Sequence, residues 1–191
     1  MPVAGDDVII NSNQSAAITA VPSISLANLT ISGNCNLVPS ASGNTITITA
    51  SFSVSTGITA SLGTNGAARL NLTLGSASVS TVNGTLNVFS TGTNGVLTVN
   101  GDLTIGSAGV IADGGGANNT DLSVSSTGIL RIGSVQGIST TAGTGNIRLT
   151  GTRSYAAGSE IVYNGTAAQV TGNGIPTASD ITINNTNGVA L

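Results

Sequence analysis

Short units that alternate apolar and polar residues recur along the whole chain, and no stretch keeps a helical apolar period. Leu29-Thr30-Ile31, Ile46-Thr47-Ile48, Leu70-Asn71-Leu72-Thr73-Leu74, Leu97-Thr98-Val99, Leu103-Thr104-Ile105, Leu130-Arg131-Ile132 and Ile181-Thr182-Ile183 are examples. Alternation at period two describes a strand with one face inward and one face in water. Residue usage agrees: Thr, Val, Ile, Gly and Asn dominate, while the good helix formers Lys, Glu, Gln and Met are scarce or missing. The chain is therefore expected to be all-β.

The punctuation between these units selects the architecture. Asn-Gly pairs begin at Asn65, Asn83, Asn94, Asn100, Asn164, Asn173 and Asn187. Both residues tolerate positive φ, so each pair can turn a sharp corner at low steric cost. Such pairs suit antiparallel hairpins as well as solenoid corners. The strand units are short, and the core Trp and Tyr corner of immunoglobulin-like sandwiches are missing. Similar units return after 17 to 20 positions, as from Leu29 to Ile46 and from Ile161 to Ile181. These steps predict a parallel β-solenoid, a right-handed β-helix of roughly nine irregular coils and about 45 Å in length. Residues 1–191 read as one solenoid segment with no internal linker, and the apolar finish Gly188-Val189-Ala190-Leu191 suggests a piece of a longer repetitive protein.

A solenoid also accounts for the charge content. Only 6% of the 191 residues are charged and 2% are aromatic, with no Trp and no His. Side chains on outer faces stack about 4.8 Å apart, a spacing at which like charges repel and Thr, Ser and Asn form ladders. The same composition excludes several functions. Four arginines, no lysine and a net charge of −3 make nucleic-acid binding untenable. Catalysis that needs His or Lys is removed. No apolar run approaches the roughly 20 residues of a membrane span. Cys35 stands alone, so no internal disulfide forms, and a buried thiol is expected.

The stretch Glu160-Ile161-Val162-Tyr163-Asn164-Gly165-Thr166-Ala167-Ala168-Gln169-Val170-Thr171-Gly172, with Asp180-Ile181-Thr182-Ile183-Asn184-Asn185 and the opening Ala4-Gly5-Asp6-Asp7-Val8-Ile9-Ile10, carries a resemblance. It resembles segments of large repetitive surface proteins that Bacteroidetes export through the type IX secretion system. The middle of the chain is similar, more loosely, to filamentous-haemagglutinin-like and autotransporter adhesins. The resemblance implies an extracellular or cell-surface location and a β-rich stalk or adhesin segment, and it brings no catalytic residues with it.

Candidate chemistry is sparse. Asp102, Asp113 and Asp121 are spaced to stack on one side near Arg131, the arrangement that a polysaccharide-active β-helix enzyme would need. This is the third-ranked reading, and no enzyme activity is expected. The loop residues Asp113, Asn118, Asn119 and Asp121 offer hard oxygen ligands of the kind Ca²⁺ takes, without an EF-hand pattern. Tyr155 and Tyr163 are the candidate exposed aromatic contacts for a glycan. The leading expectation is a rigid stalk, spacer or rod with self-association into filaments or against neighbouring solenoid segments. An adhesin module that binds glycan or a host surface through loops is the alternative.

Overall fold

The computed structural model describes residues 1–65, 68–90, 93–114, 119–141 and 143–191. The alternating units become strands that stack in parallel on three faces, and no helix occurs among the described residues. The first face stacks the leading half of Ile24–Ile31, the leading half of Asn44–Val54, Ala68–Leu74, Gly95–Val99, Thr120–Val124 and Arg153–Tyr155. The second face runs Asp7–Ile10, the trailing halves of the two long strands, Val79–Val82, Asp102–Ile105, Ile129–Ile132, Glu160–Tyr163 and Asp180–Ile183. The third stacks Ile18–Val21, Cys35–Pro39, Thr59–Thr64, Thr85–Val88, Val110–Asp113 and Ile147–Arg148.

The fold is a parallel β-solenoid whose three faces stack together through about five turns, with the second face carried on to eight strands, rather than the nine coils expected. The expectation failed on coil length. Leu72, Leu97 and Leu122 lie in register, each 25 positions after the last, because every coil carries three strands and three corners. Among the described residues one antiparallel pairing occurs, between Gly63 and Arg69 and between Thr64 and Ala68.

Strict register turns the alternation into columns. Leu26, Ile48, Leu74, Val99, Val124 and Tyr155 form one inward ladder. Ile10, Ile31, Val54, Val82, Ile105, Ile132, Tyr163 and Ile183 form another. All but the last member of the second ladder are buried. Each buried aliphatic side chain contributes about 2 kcal/mol of apolar transfer, and stacking like on like keeps the narrow interior filled. Where Phe52 enters, the next rung holds the small buried Ser80, whose Oγ accepts the Phe52 N–H at 3.2 Å. Outside, Ser25, Thr47, Thr73, Thr98, Ser123 and Ser154 make a hydroxyl ladder along the first face.

The corners work differently from expectation. Gly84, Gly95, Gly101, Gly165 and Gly174, all second members of Asn-Gly pairs, do not have positive φ; Gly188 does, at 90°. Glycine is needed there for close approach. A Cβ at Gly84 would sit 2.3 Å from both the Ile58 and Ser55 carbonyl oxygens, and one at Gly101 would sit 2.4 Å from those of Gly75 and Ser78. Each of these glycines lies on a four-residue turn of the coil before it, closed by Ile58 N–H to Ser55 O at 3.2 Å or Ser78 N–H to Gly75 O at 2.9 Å.

After Ile129–Ile132 the coil lengthens. The step from Ile111 to its partner Ile147 is 36 positions, and the extra chain forms a side of its own. Val170 N–H donates to the Val135 carbonyl and Ile138 N–H to the Thr171 carbonyl, both at 2.9 Å. Gln169–Val170 in turn pairs with Val189–Ala190. The last coils thus build their third side on 135–138 instead of on Ile147–Arg148.

Candidate functional site

The lengthened coil shapes a cleft that combines a cation with an aromatic ring. On the first face, Arg153–Tyr155 is the last strand. The chain after Gln169–Val170 passes this face as the irregular segment 171–179 before re-entering the second face at Asp180–Ile183. The place where a further first-face strand would stack is instead a cleft of about 600 Å³. Thr140 and Thr141 of the extra chain, Thr150 and Gly151 ahead of the strand, and Asn173 to Thr177 make its walls, with Arg153, Tyr155 and Leu149 in the floor.

Arg153 reaches the floor with no carboxylate partner among the described residues. Its Nε donates to the Leu149 carbonyl at 3.3 Å, Nη2 to Leu149 and Ile147 carbonyls at 2.7 and 3.3 Å, and Nη1 to the Ser139 carbonyl. Nη1 makes that one bond, which leaves one guanidinium N–H without an acceptor among the described residues. The ion pair found among the described residues joins Arg131 to Asp102, with Nη2 to Oδ2 at 2.6 Å and Nε to both oxygens at 2.9 Å. That hydrogen bond is the main cause holding the Arg131 guanidinium above its ordinary range.

The two tyrosines part company. Tyr163 is fully buried in the second-face ladder, and its hydroxyl donates to the Thr171 carbonyl at 2.8 Å. It presents no ring face to solvent, which corrects the expectation of an exposed contact: its alternating position points inward. Tyr155 heads the first-face ladder and lines the cleft, and its hydroxyl has no hydrogen-bond partner among the described residues. Burial pushes both phenols up to about 12; Arg153 opposes the rise at Tyr155, and Tyr155 adds to it at Tyr163.

The acidic residues do not stack on one side. Asp102 lies on the second face, Asp113 at the end of the third and Asp121 on the first. With three strands to a coil, 19 positions carry the chain through three faces rather than once around. Asp113 and Asp121 both accept from backbone of the next coil, at Thr150 and Thr152. Asp113 accepts the Thr120 N–H at 2.9 Å and the Thr150 N–H at 2.8 Å, and Asp121 accepts the Thr152 N–H at 2.7 Å and the Asn94 amide at 2.8 Å. Asn119 Oδ1 accepts from the Thr150 hydroxyl at 2.8 Å, and Asn118 lies outside the described residues. The Asp113, Asn119 and Asp121 oxygens thus staple one coil to the next, and no group of three His, Cys, Asp or Glu side chains placed to hold a metal ion occurs among the described residues. Cys35 is buried, and burial pushes its thiol up to about 11, far from a reactive thiolate at neutral pH.

Sequence reasoning missed a set of buried amides. Asn146 donates to the Gly106 and Gly109 carbonyls at 2.9 and 2.6 Å and accepts the Ser134 N–H at 2.8 Å. Gln169 donates to the Ile132 and Ser134 carbonyls, both at 2.8 Å. It accepts from the Gly165 N–H at 2.7 Å and the Asn185 amide at 2.8 Å. Such fully satisfied amides close the corner where the extra chain leaves the solenoid. In a chain so rich in Asn nothing in the sequence marked them.

Among the described residues no helix is long and apolar enough to cross a membrane. No protein-family model, curated protein or solved structure matches the chain.

Proposed function

We propose that the chain is a rigid structural segment of an extracellular or cell-surface bacterial protein, acting as a stalk, spacer or fibre-forming rod. The observation that carries this reading is the second-face ladder from Ile10 to Ile183, which runs unbroken through every coil. A stack held by continuous backbone hydrogen bonds and one apolar column resists bending and offers proteases few loose segments. The near-universal hand of parallel crossovers supports a right-handed coil. The surface location rests on the resemblance of 160–172 and 180–185 to exported Bacteroidetes proteins.

Self-association belongs to the same reading. The terminal strands of the stack expose apolar side chains, Ile181 and Ile183 at one end and Ile9 at the other, beside unpaired strand edges. Electron microscopy of the purified chain at high concentration tests the proposal. Ordered filaments would establish a fibre-forming rod and separate short rods a spacer, while particles that are not elongated would refute both.

The second reading, an adhesin module that binds glycan through loops, is favoured by the cleft over Tyr155. Its other candidate contact, Tyr163, is buried in the core.

A further inference from the structure

We propose that the cleft between Thr140–Thr141, Arg153–Tyr155 and Asn173–Thr177 binds an acidic oligosaccharide, a short chain carrying uronic-acid carboxylates. The inference rests on the glycan-binding reading of this region and names the ligand class for it.

Three features of the cleft point to this class. The volume, about 600 Å³, falls within the range of small-ligand sites and far exceeds a water-filled gap. Its rim is hydroxyl and amide: Thr140, Thr141, Thr150 and Thr177 are exposed, and Asn173 is oriented by accepting the Thr140 N–H at 2.9 Å through Oδ1, which leaves its NH₂ group directed by that bond. Neutral donors and acceptors of this kind match a polyhydroxyl ligand, while Ile175 and Pro176 with the Tyr155 ring give the apolar contact on which a pyranose face rests.

The floor supplies the charge preference. Among the described residues Arg153 is the one charged side chain lining the cleft. Backbone carbonyls solvate its guanidinium but do not neutralise it, whereas Arg131 two coil-faces away has Asp102. A ligand carboxylate supplies the missing countercharge, and an Arg–carboxylate contact outweighs a neutral hydrogen bond by about twofold. Beside it, the Tyr155 hydroxyl is buried without a partner. An unsatisfied buried hydroxyl carries a desolvation cost that a ligand oxygen reaching the floor removes. An acidic peptide would offer the carboxylate but not the dense hydroxyls that the rim fits.

The test uses the full chain and calorimetric titration with trigalacturonate and trimannuronate, against the neutral cellotriose and a triglutamate peptide. Tyrosine emission gives a second readout, since Tyr155 and Tyr163 are the only tyrosines and no Trp is present. The expected result is binding of at least one uronate trimer, at least about tenfold tighter than cellotriose or the peptide, and weakening as salt rises. Arg153→Gln removes the charge but also the clamp on Ser139, Ile147 and Leu149. Tyr155→Phe and Asn173→Ala therefore carry the test, because neither group supports the core: each should weaken uronate binding by about fivefold to tenfold with an unchanged circular-dichroism spectrum. Equal or tighter binding of cellotriose would overturn the acidic class and leave the glycan reading standing. Tighter binding of triglutamate, uronate binding indifferent to both variants, or no binding of any saccharide would overturn the proposal, and the last would remove the glycan reading with it.

Discussion

Alanine at two glycines separates the two reasons a solenoid corner can need that residue. Gly101 has an ordinary φ, and its Cβ would lie 2.4 Å from the Gly75 and Ser78 carbonyl oxygens and 2.7 Å from the Ser78 hydroxyl. Gly188 has a φ of 90° and nothing within 4 Å of its Cβ position. In Gly101→Ala, relief of the collision lifts the corner by roughly 1 Å, since the opposing atoms are backbone and cannot swing aside. The lift stretches the Asn100 N–H bond to Leu74 and the Asp102 N–H bond to Ser78, both 2.9 Å in the native corner. Each contributes about 1 kcal/mol net, and the disturbed packing of buried Leu103 adds a similar amount. The sum is about 3 kcal/mol, less the few tenths that alanine returns by stiffening the unfolded chain. Gly188→Ala meets only the left-handed backbone, about 1 kcal/mol. Urea denaturation followed by far-ultraviolet circular dichroism, with unchanged slopes, reads the difference directly. If Gly188→Ala costs as much as Gly101→Ala, close approach is not what selects glycine in the Asn-Gly corners, and the packing argument is wrong.

The remaining predictions concern charge. Tyr155 and Tyr163 sit at about 12 when folded, against about 10 for an unfolded tyrosine. The fold favours the neutral phenols, so their contribution to stability is complete below pH 10 and is lost as pH rises towards 12. Ultraviolet titration of the native protein should show no phenolate near pH 10, and the urea midpoint should fall between pH 10 and 12; a phenolate appearing at 10 in folded protein would contradict this. The Arg131–Asp102 pair is partly exposed, with side-chain exposures of 29% and 20%. A double-mutant cycle with Arg131→Met and Asp102→Asn should give a coupling of about 1 kcal/mol that shrinks with added salt, and a coupling near zero at low salt would mean the bidentate geometry does not persist in solution.

Much of the fold was readable because alternation in a solenoid is both local and repeated. Leu70-Asn71-Leu72-Thr73-Leu74 states its own burial pattern, and the structure buries the three leucines. Coil length was not readable, because the chain does not announce how many strands make one turn: spacing between similar units measured steps between unlike faces. At Gly84 and Gly101 the Asn-Gly corners need glycine for close approach, not for positive φ as at Gly188; a collision between coils leaves no mark in local sequence. The candidate site was half legible. Tyr155 was identified from residue type, but Tyr163, with the same chemistry, points into the core, and only register distinguishes them. Arg153 went unnoticed because its importance comes from the carboxylate it lacks.

The parallel stack has a mechanical consequence. Asp7–Ile10 lies against one neighbour at one end of the second face, and Asp180–Ile183 against one neighbour at the other. Tension applied through the two termini therefore pulls along the stacking axis, in line with the hydrogen bonds between coils, and loads them a rung at a time rather than all together. Under such force the molecule yields by peeling: each 25-residue coil that leaves the stack releases about 85 Å of extended chain. A stack that yields this way extends in quanta, and the longer coil around 133–146, pinned by Asn146 and Gln169, sets one step apart from the rest.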